Sequence, residues 1–235
     1  MILDISIVIS NYNESFKLRK ILESLSKIIK KNYIPNYEII VIDDGSKSKH
    51  KSYITYLVNS VFSSLKIKLI SYEKNIGLGK LFLKSIDCCT KKHFMWIPGD
   101  NSISRESLIQ IFQNHLEEDE ILLVIPDNEF SRNKLRLFLS KFYVAIINFI
   151  SDQKIKYYNG PNVYPLKYLK LVPYRFKSFV LLSYLSLFLI IKLNLNYKYQ
   201  TYKLIENQKF FTSAISVRNI FDAVKLIFLL LLKKI

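Results

Sequence analysis

The chain has 235 residues, half of them apolar, with only 5 Gly and 6 Pro, which suits one sizeable core and excludes long linkers or low-complexity tracts. Its formal net charge of +16 is uneven: residues 131–235 hold 18 Lys/Arg against 3 acids, and residues 1–130 hold 17 against 16. Lysine-rich coding would add cations everywhere but would not remove acids from one half, so the imbalance points to an anionic partner such as a phosphorylated substrate, an acidic membrane or a nucleic acid.

In chain order, Ile5–Ser10 reads as a strand that leaves through a polar run, Asn11-Tyr12-Asn13-Glu14-Ser15. Leu18, Ile21, Leu22, Leu25, Ile28 and Ile29 then recur at helical spacing. Glu38–Ile42 is a second strand, ending at Asp43-Asp44-Gly45-Ser46. A helix over 52–62, a short strand over Lys66–Ile70 and a helix from Gly77 to Thr90 follow. His93–Ile97 is a strand stopped by Pro98-Gly99. Leu108, Ile111, Phe112 and Leu116 mark a helix, and Ile121–Ile125 a strand.

Alternation of this kind predicts an α/β fold with a mostly parallel sheet flanked by helices, whose ligands bind beyond the carboxyl ends of the strands. Residues 10–15, 43–46 and 98–102 then share one edge and gather Asn11, Asn13, Glu14, Asp43, Asp44 and Asp100. That many carboxylates repel one another unless a cation or hydrogen-bond donors join them.

The second half is less regular. Residues 133–150 predict a helix with Leu135, Leu137, Phe138, Phe142, Ile146 and Phe149 as its apolar stripe, and 157–161 a turn. Ser178–Leu193 is a very apolar helix, Tyr197–Leu204 a strand, and 216–235 a basic, leucine-rich helix. No apolar run reaches the ~20 residues that span a bilayer, and no secretory leader is expected. Adjacent Cys88 and Cys89 read as buried reduced thiols, and His50, His93 and His115 receive no functional role.

Among the local motifs, Asp43-Asp44-Gly45-Ser46 is either a turn or a pair of acceptors for a base N–H or a ribose hydroxyl. Asn75-Ile76-Gly77-Leu78-Gly79 opens a helix, where Gly77 lets backbone N–H groups approach phosphate. A carboxylate at Asp100 can take Mg²⁺ or Mn²⁺, which bridges phosphate oxygens.

Together, Ile5–Glu14, Val41–Ser46, Asn75–Gly79 and Trp96–Asn101 resemble the family 2 glycosyltransferases of GT-A fold over roughly residues 3–125. Arg136 with Ser140, and Asn159-Gly160, are similar to looser landmarks of polyprenyl-phosphate sugar transferases. The resemblance implies a GT-A domain over 1–215, divided into a nucleotide-sugar-binding half (1–125) and an acceptor half (126–215), with 216–235 as an amphipathic extension. It also implies that Asn11, Tyr12, Asn13 and Glu14 line the nucleotide pocket, that Asp43 contacts the base beside Asp44, and that Asp100 is the metal ligand and the catalytic residue, stabilising the leaving group with the ion. Pro98 stands where the family has the first Asp of its DxD motif, helix 179–193 carries no acid to serve as general base, and 208–214 keeps only Ser213 of the family's closing loop.

A hydroxyl acceptor needs a base and a phosphate acceptor does not. The scarcity of acids in the second half therefore favours a polyprenyl phosphate acceptor, with Arg132 and Arg136 holding it; the resemblance implies inverting transfer from a UDP- or GDP-linked sugar. Helix 179–193 and the 216–235 tail would then lie at the inner face of the cytoplasmic membrane. Two other readings stand beside this one: extension of a polysaccharide or glycolipid with Asp127 or Glu129 as base, and a non-catalytic basic nucleic-acid-binding module.

Overall fold

The computed structural model describes residues 3–127, 134–174, 176, 178–205 and 217–235, with backbone alone at 134–136 and 217–218. A seven-stranded sheet runs in the order β3-β2-β1-β4-β6-β5-β7, from β1 (Asp4–Asn11), β2 (Asn36–Asp43), β3 (Ile67–Ser71), β4 (His93–Pro98), β5 (Glu120–Pro126), β6 (Val163–Pro165) and β7 (Asn196–Tyr202). The first four strands are parallel to one another, β5 is parallel to β7, and β6 is antiparallel to both β4 and β5.

Strands covered on both faces need apolar residues at successive positions, and these strands have them. On β1, Ile5, Ile7 and Ile9 join one core layer and Val8 the other; β4 divides Met95 and Ile97 from Phe94 and Trp96 in the same way. Helices α1 (Ser15–Lys30), α2 (Ser48–Tyr56) and α4 (Arg105–Phe112) cover the first layer. On α1 the buried set Leu18, Ile21, Leu22, Leu25 and Ile28 is the stripe expected from spacing. Helices α3 (Leu78–Ile86), α5 (Lys134–Ser151), α7 (Val180–Leu187) and α8 (Val217–Leu231) cover the second layer, α6 (Leu166–Leu169) being a single turn after β6.

The α/β architecture and mostly parallel sheet agree with the sequence, and four details differ. Helix α2 starts earlier than 52, at Ser48, and 57–61 continues as a π-helical turn. Helix α3 ends at Ile86, so Cys88 and Cys89 follow it rather than lie within it; both are free thiols and Cys89 is buried. Strand β6 has three residues, too few for any alternation to register.

The fourth difference matters most. The expected membrane-facing helix 179–193 is instead a core element: Val180, Leu181, Tyr184, Leu185, Leu187 and Leu189 are buried. A helix apolar all round belongs inside a protein as readily as at a membrane, and here α5 and α8 pack near it and bury Ile147, Leu226 and Leu230. What faces outward is another set. On α5, Phe138, Phe142 and Phe149 are 65%, 56% and 89% exposed, and on α8 Phe221, Phe228 and Leu231, with Leu232 just beyond it, are each more than half exposed.

Candidate active site

Strands β1 and β4 adjoin where the chain's path across the sheet reverses, the place where open α/β sheets bind ligands. A cleft of ≈ 800 Å³ opens there, beyond the strand ends. Its polar side is built by Ser10, Asn11, Tyr12, Glu14, Asp44 and Asp100. Its apolar side is built by Leu78, Leu81 and Trp96, by Leu137, Leu139 and Tyr143 of α5, by Phe179 and Val180, and by Ile220 and Ala223 of α8.

The loops after β1 and β2 are tied together. The Asp44 N–H donates to the Asn11 carbonyl at 2.8 Å. Asn13, in the left-handed region at φ +59°, donates its N–H to Ser46 Oγ (2.8 Å) and accepts the Lys47 N–H on Oδ1 (2.9 Å). Asparagine tolerates that conformation and can make both bonds at once. Asn13 therefore shapes the pocket without lining it. Glu14 reaches the rim and pairs with Lys17 at 2.6 Å.

Asn11 and Asp43 stand opposite each other in the β1–β2 register. Asn11 Oδ1 accepts the Glu14 N–H (3.3 Å), and Asp43 Oδ1 accepts the Ser46 N–H (3.3 Å). The other atom of each side chain, Asn11 Nδ2 and Asp43 Oδ2, is buried with no hydrogen-bond partner. Such orphans are costly unless a ligand or water satisfies them. Asn11 Nδ2 is a donor and Asp43 Oδ2 an acceptor, on residues paired across the two strands.

Asp44 is engaged within the protein. Its Oδ1 accepts the Ile76 N–H (2.7 Å) and its Oδ2 the Gly77 N–H (3.2 Å). Burial raises its pKa, the two backbone bonds oppose that, and nearby Asp43 adds to the rise. The approach of residues 74–77 requires Gly45: at φ +75°, a Cβ there would lie 2.4 Å from the Lys74 carbonyl carbon. The Gly77 N–H is thus engaged by Asp44 in this structure.

Asp100 lies on the turn after β4. Gly99 lets the turn rest on β1: a Cβ would stand 2.2 Å from the Ser10 carbonyl oxygen. The Ser102 N–H holds Asp100 Oδ1 at 3.0 Å. Among the described residues no group of three His, Cys, Asp or Glu could hold a metal ion unaided. Asp100 nevertheless fits a cation that shares its coordination with a diphosphate, since Mg²⁺ and Mn²⁺ sites use one or two carboxylates plus substrate phosphates.

Beneath the apolar side, Asn162 accepts the Val124 N–H (2.8 Å) and donates to the Tyr158 carbonyl (3.0 Å) and Tyr164 Oη (2.9 Å). Gly160 sits against Val124 so closely that a Cβ would fall 1.8 Å from its carbonyl oxygen. Gly160 is required by that packing, and Asn159 and Gly160 both line the cleft.

Of the residues singled out in the sequence, Asn11, Tyr12, Glu14, Asp44 and Asp100 come together around the cleft, with Asp43 and Asn13 directly behind them. Arg132, Glu129 and the side chain of Arg136 lie outside the described residues. Asp127 is exposed after β5, bonds its N–H to the Tyr202 carbonyl (3.0 Å), and does not line the cleft. Lys17, Trp96, Tyr143, Tyr202 and Asn219 line it without having been foreseen. Lys17, one turn beyond Glu14, and Trp96, at the head of the Trp96–Asn101 motif, carried a signal.

A family model described as Glycosyl transferase family 2 matches residues 6–179. A dolichyl-phosphate beta-glucosyltransferase of Dictyostelium discoideum is 26% identical over 126 residues, 51% of this chain and 38% of that protein. The chain spans less than half the length of the curated relatives it matches. Among solved structures, glucosyl-3-phosphoglycerate synthase of M. tuberculosis superposes with a TM-score of 0.66 at 13% identity, covering 99% of this chain and 80% of that one. A mannosyltransferase of Pyrobaculum calidifontis, solved with GDP-Man and Mn²⁺, gives 0.62 at 12% identity, covering 96% and 65%.

Proposed function

The chain belongs to glycosyl transferase family 2, and from that premise we propose that it moves a sugar from a UDP- or GDP-linked donor to a polyprenyl-type lipid phosphate at a membrane surface. One observation carries this reading. The cleft joins a polar, donor-suited side to an apolar wall built by α5 and α8, and the outer faces of those two helices expose phenylalanine and leucine. The Dictyostelium relative, a dolichyl-phosphate beta-glucosyltransferase matched over under half of its own length, supports the lipid acceptor.

In this proposal Asn11 Nδ2 and Asp43 Oδ2 take up the nucleobase edge. Mg²⁺ or Mn²⁺, when bound, would neutralise the departing diphosphate, with Asp100 as its protein ligand. The Pyrobaculum calidifontis mannosyltransferase of the same fold, solved with GDP-Man and Mn²⁺, supports a divalent ion in that role. An acceptor phosphate oxygen attacks the anomeric carbon, the bond to the nucleoside diphosphate breaks, and the configuration inverts. The phosphate enters already ionised, so no general base is needed. Transfer to a glycan hydroxyl would need one, and Asp127 stands outside the cleft lining.

No described helix is long and apolar enough to cross a membrane. Docking would be peripheral, through the exposed faces of α5 and α8 with Lys141, Lys225, Lys233 and Lys234 beside them. The test is transfer from a panel of UDP- and GDP-sugars, with Mn²⁺, to polyprenyl phosphate in vesicles. Replacing Arg132 and Arg136 with Ala is expected to weaken lipid use and spare nucleotide-sugar binding. Unchanged lipid kinetics in the double variant would remove the phosphate-acceptor reading.

A further inference from the structure

A second cavity, of ≈ 460 Å³, lies on the other side of Ser140 and Tyr157 from the cleft, and those two residues line both. Its floor is apolar, formed by Ile125, Val144 and Ile155 among others, and its rim carries three lysines: Lys141 of α5, and Lys154 and Lys156 of the segment that follows it. No carboxylate is among its described lining residues. Neither Lys141 nor Lys154 has an ion-pair partner among the described residues.

The lysine-bearing segment is pinned from two sides. Asn148 of α5 donates Nδ2–H to the Ile155 carbonyl (2.8 Å) and is itself held by the Tyr158 hydroxyl (2.7 Å). On β7, the Tyr199 hydroxyl donates to the Lys154 carbonyl and accepts the Lys156 N–H, both at 3.3 Å. Burial pushes the Tyr199 phenol up to about 12, so its proton stays available for that bond. The Lys156 ammonium rests 5.1 Å from the centre of the same ring.

Three like charges carried around one concavity repel each other, and an anion relieves that repulsion. Pinning the backbone that carries two of them lowers the ordering cost of binding. We propose that this cavity binds the phosphate group of an amphipathic phosphate monoester, the lysines taking the oxyanion and the apolar floor the adjoining carbons. The site stands on the cavity's own residues and does not rest on the function proposed above. The phosphate could come from a lipid or from a small soluble ester, and the two are separable by experiment.

The probes are geranyl phosphate and glycerol 3-phosphate, titrated calorimetrically into the full chain at low salt. The variant is Lys141→Ala/Lys154→Ala/Lys156→Ala, with the matching triple Arg variant as the charge-preserving control. Exposed lysines are replaced at little cost to folding, and an unchanged melting temperature checks this. The Ala variant should bind at least one probe about tenfold more weakly, the Arg variant should keep affinity, and salt should erase the difference, as for exposed charge pairs acting together. A loss confined to geranyl phosphate identifies a lipid source, and an equal loss for both identifies the phosphate group alone. Failure of both probes to bind the native chain, or a loss below about threefold for each, overturns the site. UDP-sugar and GDP-sugar binding, measured in parallel, keeps the two ideas apart. Lysine-dependent phosphate binding without any nucleotide-sugar binding would sink the proposed function and leave the site, and the reverse pattern would sink the site alone.

Discussion

Replacing Gly99 with Ala tests whether the seating of the β4 turn on β1 positions Asp100. The added Cβ would start 2.2 Å from the Ser10 carbonyl oxygen and 3.1 Å from Asn11 Nδ2, where ordinary contact begins at 3.4 Å. The turn and the strand must therefore part by about 1.2 Å. Both contacts are on rigid or buried groups, so the turn has to give way. Overpacking of this kind costs about 1–3 kcal/mol, and in a domain of this size each kcal/mol lowers Tm by roughly 2–4 °C. The effect on turnover should be larger. A misplacement of about 1 Å at a reacting centre costs on the order of 10²-fold, and here it falls on Asp100 and on the orphaned amide of Asn11 together. Initial rates of sugar release from the donor with Mn²⁺, alongside thermal unfolding, give both quantities. A G99A variant that turns over within twofold of the native chain would refute the reasoning, because Asp100 would then not depend on that contact for its position.

Asp100→Asn keeps the Ser102 N–H bond but removes the charge, and donor turnover should fall roughly 10²–10³-fold with Tm nearly unchanged; equal rates in metal titrations would discredit Asp100 as the ligand. Asn162→Ala leaves the buried Val124 N–H without its acceptor and removes the partner of two further groups, which should cost about 2–4 kcal/mol, read by urea unfolding. Glu38 supplies a pH test. Burial raises its pKa, but hydrogen bonds from Ser6 and from the Thr90 N–H (2.6 Å) outweigh that and leave it lowered. A carboxylate with a lowered folded pKa contributes stability above its unfolded pKa and loses it as pH falls through the folded value. The stability gap between the native chain and Glu38→Gln should therefore be present at pH 7 and close progressively below pH ~4; a gap that widened in acid would contradict the assignment.

Much of the first half could be read from sequence because its signals are local. Strands buried on both faces show as apolar runs, α1 as a stripe, and polar residues after β1, β2 and β4 must meet once the strands are parallel. What could not be read depends on contacts distant in the chain. Asp43 and Asp44 are neighbours with the same side chain. Only the fold shows that Asp44 is occupied by the N–H groups of Ile76 and Gly77 while Asp43 keeps a free oxygen. The apolar character of 179–193 says that it avoids water, and the packing of α5 and α8 decides that protein rather than lipid covers it. On α5 the reverse holds: Phe138, Phe142 and Phe149 have the spacing of a core stripe and face outward. Tyr143 and Asn219 reach the cleft only because their helices cross it.

Those outward rings have a practical consequence for handling the molecule. Large aromatic side chains left in water by two neighbouring helices will seek any greasy partner, including another copy, and +16 of net charge holds copies apart only while ionic strength is low. Added salt should therefore bring on clumping, visible as rising light scattering, and a mild detergent should disperse it. Purification in the presence of lipid discs would keep the chain monodisperse where plain buffer does not.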